Sequence, residues 1–160
     1  MGNAAKLRKS RGYSWEDTLV KRFKSAGWKA VRLGSPSIHL PDVIAVKGSM
    51  IVAIEAKAAS ENTIDIPGDQ ISRTLDFVDM FNAYSERKAI IAVKFLRKKR
   101  VATGRYRPRK KKEFFFDITQ LKRKGPPAIL VTYDGEVYSI RGSSKRKINL
   151  RSWTPPWITS

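Results

Sequence analysis

The feature that most constrains the fold is the stretch of residues 40–58, LPDVIAVKGSMIVAIEAKA. Two runs of β-branched residues flank a Lys-Gly-Ser sequence at 47–49, and this pattern predicts two short strands joined by a tight turn. Because the apolar residues are nearly continuous, both faces of these strands are expected to be buried. If the strands pair as a hairpin, Asp42 at the start of the first comes beside Glu55 near the end of the second.

The second strand of this hairpin ends in Glu55-Ala56-Lys57. Alternate side chains of a strand share a face, so Glu55 and Lys57 point the same way. Two carboxylates suit Mg²⁺, which binds one or two protein carboxylates together with waters and substrate phosphate. A lysine beside them would orient or activate an attacking water, or neutralise developing charge. The hairpin therefore predicts a metal-dependent phosphodiesterase site, and the alternative is an ordinary Glu/Lys pair on a sheet edge.

The charge balance indicates the partner. The 160 residues hold 33 Lys and Arg against 14 Asp and Glu, a net charge of +19, while a 41% hydrophobic content is enough for the core of one domain. Such a charge is expected to meet a polyanion, with nucleic acid as the first candidate and an anionic membrane surface as the second. With no cysteine, no membrane span and no secretory signal, a cytoplasmic, nucleoid-associated protein with no membrane partner is expected.

Helical and strand patterns alternate along the rest of the chain. The spacing of apolar residues predicts helices over 14–26, with Ser14 as N-cap, and over about 70–83. Strands are predicted at 28–33, 88–95, 113–118, 128–133 and 137–140. The strand at 88–95 is expected to run parallel to the one before it, and the Asp-Gly turn predicts a hairpin in the last pair. Residues 58–69 are expected to form a polar loop.

Several segments are candidates for phosphate contact. Residues 1–13 are predicted to be a flexible or partly helical basic arm, and residues 97–112 a mobile loop with ten Lys or Arg in sixteen positions. The loop before Asp42 carries hydroxyl donors and the single histidine, His39, which is expected to be incidental. The tail over 142–160 combines basic residues with tryptophans, and it either binds nucleic acid or packs on the body. The residues expected to contact nucleic acid include Arg8, Lys9, Arg11, Ser37, Gln70, Arg97, Lys98, Lys99 and Arg100.

Five elements in order resemble a known pattern. They are Arg11-Gly12 followed by Glu16, then Arg32 at the end of a strand, PDVIAV…VAIEAK, the pair Phe77 and Phe81 one helical turn apart, and IAVKF. The order resembles the E…PD…(D/E)xK signature of the PD-(D/E)xK nuclease superfamily and, more closely, the archaeal Holliday junction resolvases. The resemblance covers roughly residues 8–118.

The resemblance implies a restriction-endonuclease-like α/β core, with a central mixed β-sheet flanked by helices. It also implies a homodimer that cuts two opposed strands of four-way junction DNA with Mg²⁺, for which Mn²⁺ would substitute. Phe77 and Phe81 would lie at the dimer interface, and Arg32 would contact DNA.

The same resemblance implies roles at the site. Glu16 would join Asp42, Glu55 and the carbonyl of Ala56 in holding the metal. Lys57 would position or deprotonate water. Catalytic action near the scissile phosphate would come from a loop serine, Ser35 or Ser37.

Some parts of the chain depart from the family pattern. Asp17 stands where family members commonly carry arginine, and neither the insertion at 97–112 nor the segment after 120 has a counterpart. The chain thus divides into an arm (1–13), a nuclease core (14–118) and a C-terminal hairpin and tail (119–160). Whether the added segments bind junction arms or another partner, such as a replication or recombination protein, stays open. Two rival functions also remain, namely another repair or restriction-type nuclease of the superfamily and a non-catalytic basic nucleic-acid-binding protein.

Overall fold

The computed structural model describes residues 2–33 and 40–158, with side chains described from Ser14 onward. Over these residues the chain forms two helices, α1 (Gly2–Ser25) and α2 (Gly68–Asp79). The strands are β1 (Lys29–Arg32), β2 (Val43–Lys47), β3 (Met50–Ala59), β4 (Thr63–Ile66), β5 (Glu86–Phe95), β6 (Lys98–Ala102), β7 (Arg105–Pro108), β8 (Lys112–Asp117), β9 (Ala128–Thr132), β10 (Val137–Arg141), β11 (Ser144–Ile148) and β12 (Arg151–Ser152).

A six-stranded mixed sheet forms the centre of the molecule, in the order β1-β2-β3-β5-β8-β12. Strands β3 and β5 are parallel, and the other neighbours are antiparallel. A parallel pair needs a crossover connection, which here contains β4 and α2. The predicted mixed sheet, the β2–β3 hairpin and the parallel strand that follows are all confirmed.

Both faces of the central sheet are covered, as the apolar hairpin strands predicted. Ile51 and Ala53 belong to a core cluster shared with α2 and the second sheet. The alternating residues Val52 and Ile54 belong to a cluster shared with α1. Because neighbouring strand residues point to opposite faces, β3 supplies both cores at once.

A second, four-stranded sheet has the order β11-β10-β9-β4 and packs on the α2 side. The predicted hairpin of β9 and β10 is confirmed, and its turn contains Gly135 at φ 87°. Strand β4 falls where a polar loop was expected. Its burial alternates, with Ile64 and Ile66 inside, so the period-two pattern of a strand was present in the sequence.

Three local predictions were wrong, namely the start of α1, the end of α2 and the loop at 97–112. Helix α1 begins at Gly2, so Ser14 lies within the helix and its carbonyl accepts a hydrogen bond from Thr18 Oγ1 at 2.8 Å. The basic segment before Ser14 is rich in good helix formers, so the helix already includes it. Helix α2 starts at Gly68 after Pro67 and ends at Asp79. The insertion at 97–112 is an antiparallel hairpin of β6 and β7 rather than a mobile loop.

The C-terminal tryptophans pack on the body, which decides between the two predictions made for the tail. Trp157 lies edge-on to Phe23 and Phe115, with ring centroids 5.0 and 5.7 Å away. Trp153 is 6.2 Å from Phe23 and 6.1 Å from Phe115. The tail therefore completes the core on the α1 side.

Candidate active site

The β2–β3 hairpin sets the position of Asp42. Val43 pairs with Ile54, and the Asp42 amide donates to the Ile54 carbonyl at 3.0 Å, so Asp42 lies across from Glu55. The Ala56 amide donates to Asp42 Oδ2 at 2.8 Å. One strand thus fixes the carboxylate of the other, as the hairpin pattern predicted.

Glu55 is a fully buried carboxylate, with 0% of the residue exposed. Its Oε1 accepts a hydrogen bond from Arg73 Nη2 at 2.8 Å and lies 3.6 Å from Lys57 Nζ. Its Oε2 is buried and has no hydrogen-bond partner among the described residues. An unpartnered buried carboxylate oxygen is costly, so this atom marks a place where a cation or a donor would be stabilising.

Helix α1 brings Glu16 to the same place from the other side of the sheet. Burial raises the pKa of Glu16 to about 8, with a further rise from the Asp42 carboxylate, and Arg32 opposes this rise. Burial likewise raises the pKa of Glu55 to about 7, helped by Asp42 and opposed by Lys57 and Arg73. Three carboxylates thus interact at one end of the sheet, and the Asp42 carboxylate makes ionisation of Glu16 and of Glu55 harder.

The donor set fits a hard divalent cation. Glu16 and Glu55, whose pKa values are raised, lie beside the Asp42 carboxylate, and Glu55 has a buried oxygen without a hydrogen-bond partner among the described residues. Such a set of carboxylate oxygens is the chemistry that Mg²⁺ binds. Within the described part of the chain, however, no three His, Asp or Glu side chains already form a group that could hold a metal ion. Sharing one ion among Glu16, Asp42 and Glu55 would therefore require a side-chain rearrangement.

Arg73 is the site residue that sequence reasoning missed. It lies on α2 one turn after Gln70, so the two residues share a helix face. Gln70 was expected to contact nucleic acid. Arg73 makes the contact with Glu55, and Gln70 Oε1 is buried without a hydrogen-bond partner among the described residues. The sequence signal that could have identified Arg73 was its spacing, because it is a basic residue three positions after Gln70, which was already a candidate.

The other predicted residues differ in where they lie. Arg32 lies beside the carboxylates, with Nε 3.9 Å from Glu16 Oε2 and Nη1 3.4 Å from Asp17 Oδ1. Ser35, Ser37 and His39 lie outside the described residues, and the side chains of Arg8, Lys9 and Arg11 in α1 are not described either.

Arg97, Lys98, Lys99 and Arg100 open the β6–β7 hairpin, at the end of the sheet that carries the site. The hairpin follows β5, whose last residue, Phe95, pairs with Ala59 at the end of β3. The Arg100 amide donates to the carbonyl of Ser60 at 2.9 Å. The base of this hairpin is therefore about 10 Å along β3 from Lys57, at 3.3 Å per residue.

Phe77 and Phe81 form an aromatic row at the end of α2. Their ring centroids are 5.1 Å apart, and Tyr84 continues the row 6.2 Å from Phe81. Phe81 and Tyr84 also line an apolar groove of about 240 Å³ with residues of β1, β2 and β3. In this groove Val31 is 54% exposed, so part of the apolar lining faces solvent.

Among the helices described, neither is long and apolar enough to cross a membrane.

The mixed sheet, with helices on its faces and an acidic pair at one end, is a restriction-endonuclease-like fold. A solved structure of Archaeoglobus fulgidus Hjc, described as a Holliday junction resolvase, matches this fold with a TM-score of 0.53. It is 22% identical and covers 78% of this chain and 85% of its own.

The model of the archaeal Holliday junction resolvase (Hjc) family matches residues 7–126, and the chain belongs to this family. Among curated relatives, the crossover junction endodeoxyribonuclease Hje of Sulfolobus acidocaldarius is 37% identical over 93 residues, which cover 56% of this chain and 65% of the relative. The crossover junction endodeoxyribonuclease Hjc of Archaeoglobus fulgidus is 30% identical over 94 residues, covering 57% and 66%. The match to the first of these relatives thus spans just under two thirds of its length.

Proposed function

We propose that this protein is a structure-selective endonuclease that resolves four-way DNA junctions by hydrolysing phosphodiester bonds in two opposed strands. The observation that carries the proposal is the pairing of Asp42 with the buried Glu55, beside Lys57, in a member of this family with a net charge of +19. A protein that only bound phosphates would not be expected to place buried carboxylates next to its ligand, because they would repel it.

The carboxylates of Glu16, Asp42 and Glu55 and the carbonyl of Ala56 would hold Mg²⁺, with Mn²⁺ as a substitute. The bound ion would act as a Lewis acid on the phosphoryl and leaving oxygens.

The chain's own residues have separate tasks. Lys57 Nζ would position the attacking water and receive or release a proton there. Arg73 holds one oxygen of Glu55, which leaves the other oxygen directed away from this pair. The Ala56 amide holds Asp42 Oδ2 in the same way. Ser35 or Ser37 would act near the scissile phosphate, and Arg32, Gln70 and the basic hairpin would hold the flanking backbone.

A homodimer would place two such sites at a fixed spacing, which suits a two-fold symmetric junction. The apolar groove beside Phe81, with the exposed Val31 and the adjacent Phe77, supports a second copy as its occupant. Recognition would then depend on junction shape and backbone charge, and so on salt. Such a substrate would keep the protein at the nucleoid.

Cleavage of a four-way junction, a flap and a linear duplex, each with and without Mg²⁺, tests the activity. The Asp42→Asn variant is expected to lose at least about 100-fold in junction cleavage, the scale for a group acting at the reacting centre. The matched control is Asp134→Asn, whose side chain is 84% exposed and should not matter. Equal cutting of linear duplex and junction would refute junction resolution, and full cleavage by Asp42→Asn would refute the site.

Sedimentation of a Phe77→Asp, Phe81→Asp double variant tests the dimer, and a monomer is expected. Both rings also pack partly on the core, so unfolding could produce the same result. Val31→Asp avoids this problem because its side chain is already exposed, and Ile158→Asp, at 52% exposure, is the matched control. A dimer that persists in Val31→Asp would contradict the proposed interface.

A further inference from the structure

We propose that the hairpin of β6 and β7, residues 98–108, is a basic ribbon that enters the major groove of a duplex arm beside the cleavage point. This inference rests on the proposed function, because it assigns the ribbon to the same DNA substrate. It concerns an insertion that the sequence predicted to be a mobile basic loop in contact with phosphate, and it adds the structure of the insertion, the groove it enters and its distance from the cleaved bond.

The ribbon is a protruding element with no other strand beside it among those described. It contains five Lys or Arg and no Asp or Glu. The acidic side chain that approaches it is Glu61, 3.8 Å from Arg100 Nη1 and itself 53% exposed. A surface ion pair of this kind is weak, so the excess positive charge remains available to a polyanion.

Both faces of the ribbon are charged. Lys99 pairs with Arg107, and Arg100 pairs with Tyr106. Directly opposed residues share a face and successive residues alternate, so cations project from both sides. An element that packed on its own body or on a protein partner would be expected to have one apolar face. Charge on both faces instead suits a position in a DNA groove, which has a phosphate backbone on each side.

The shape of the ribbon also suits the major groove. A groove about 12 Å wide admits a two-stranded antiparallel ribbon, whose strands lie about 4.8 Å apart. The register shift between Arg100 and Ala102 increases the local twist of such a pair. From Arg100, whose amide is bonded to the body, to the turn at Thr103 the ribbon extends about 10 Å, so its tip can enter a groove about 8.5 Å deep.

The base of the ribbon is fixed to the body while its tip is exposed. Arg109 Nε donates to the carbonyl of Leu96 at 2.7 Å, and its Nη2 to that of Ala59 at 3.2 Å. The Arg109 guanidinium also lies 4.8 Å from the ring centroid of Tyr133, whose hydroxyl donates to the Lys110 carbonyl at 2.7 Å. The second sheet, by way of Tyr133, thus holds the ribbon at a set angle to the site.

These positions predict which part of the DNA is touched. The base, at Arg100, lies about 10 Å from Lys57, and the chain from Arg100 to the turn at Thr103 adds about 10 Å, so contacts should extend over roughly 3 to 6 base pairs from the cleaved bond at 3.4 Å per pair. An arm shorter than this would not reach the ribbon.

A triple variant of the ribbon, Lys99→Ala, Arg105→Ala and Arg107→Ala, is compared with a control that removes three exposed cations elsewhere, Lys24→Ala, Lys122→Ala and Lys124→Ala. Junction affinity is measured in EDTA at several salt concentrations. If three phosphate contacts are lost, the slope of log affinity against log salt falls by about 2 to 3 in the ribbon variant, and stays the same in the control. Trimming the arms from 20 to 4 base pairs should weaken the wild type and leave the ribbon variant unchanged.

Dimethyl sulfate footprinting identifies the groove, because guanine N7 lies in the major groove and adenine N3 in the minor groove. Wild type should protect guanine N7 in the arm, and the ribbon variant should not. Protection of adenine N3 in place of guanine N7, protection that persists in the folded ribbon variant, or an unchanged salt slope would each overturn the proposal. If the triple variant fails to fold, the single Arg107→Ala variant should lower the slope by about 1.

Binding without metal separates this test from that of the proposed function. If cleavage fails while arm protection depends on the ribbon, the nuclease proposal is wrong and the ribbon assignment stands as DNA binding.

Discussion

Replacing Arg73 with methionine tests the most specific electrostatic contact of the site. Methionine keeps much of the apolar stem and removes the charge that holds Glu55 Oε1 at 2.8 Å. The variant leaves a fully buried carboxylate with Lys57 Nζ, 3.6 Å away, as its remaining cation among the described residues. Because Lys57 is farther away and more exposed than Arg73, it can replace the lost contact only in part.

The expected cost depends on the protonation of Glu55. A hydrogen bond to a charged group contributes about 1.5–3 kcal/mol, so about 2 kcal/mol of unfolding free energy should be lost at pH 8.5, where Glu55 is ionised. At pH 5.5, below its pKa of about 7, the carboxyl is protonated and the loss should be under about 1 kcal/mol. The same loss should raise the pKa of Glu55 by more than one pH unit, because one unit corresponds to about 1.4 kcal/mol.

Urea unfolding of wild type, Arg73→Met and Arg73→Lys at the two pH values in EDTA measures this difference. Arg73→Lys should recover part of the stability at pH 8.5, because it restores a cation without the planar geometry of arginine. An equal destabilisation of Arg73→Met at both pH values would show that Arg73 contributes by packing alone, and would refute the ion-pair argument.

Three further predictions concern stability. Since the pKa values of Glu16 and Glu55 are raised to about 8 and 7, above the 4.5 of an unperturbed glutamate, the folded state binds more protons, and stability in EDTA should fall as the pH rises from 4.5 to 8. Urea titrations of wild type and a Glu16→Gln, Glu55→Gln variant check this, and an equally steep fall in the variant would contradict it. Gly135→Ala should cost about 1–3 kcal/mol in thermal unfolding, because φ is 87° and a Cβ would lie 2.9 Å from Phe114 Cε1. Trp157→Ala should cost about 2–4 kcal/mol by the same measurement, and a change below 0.5 kcal/mol would mean that the tail does not support the α1-side core.

Much of the fold could be predicted because its signals are local. The β2–β3 hairpin follows from two β-branched runs around a short turn, and its register alone brings Asp42 beside Glu55. The Asp-Gly turn likewise predicted the β9–β10 pair. Both rest on interactions between residues close in the chain, where spacing translates directly into geometry.

Other features depended on contacts that spacing cannot give. Ser14 has the residue type of an N-cap, yet the helix runs through it because the preceding residues favour helix as well. Strand β4 became a strand by pairing with β9, more than sixty residues away. The period-two pattern of β4 covers only four residues, which is too short to fix a strand by itself, so its distant partner decides its structure.

The sequence by itself determined the acidic pair, the lysine beside it and the excess of positive charge, since these depend on composition and on local strand pairing. Only the tertiary structure decided that Arg73 reaches Glu55 from α2, that the C-terminal tryptophans close the core against α1, and that Tyr133 and Arg109 hold the basic ribbon at the end of the sheet that carries the site. The physical reason is that a strand or turn is stabilised by neighbours in the chain, whereas a buried charge or an aromatic ring is stabilised by whichever surface the completed fold brings to it.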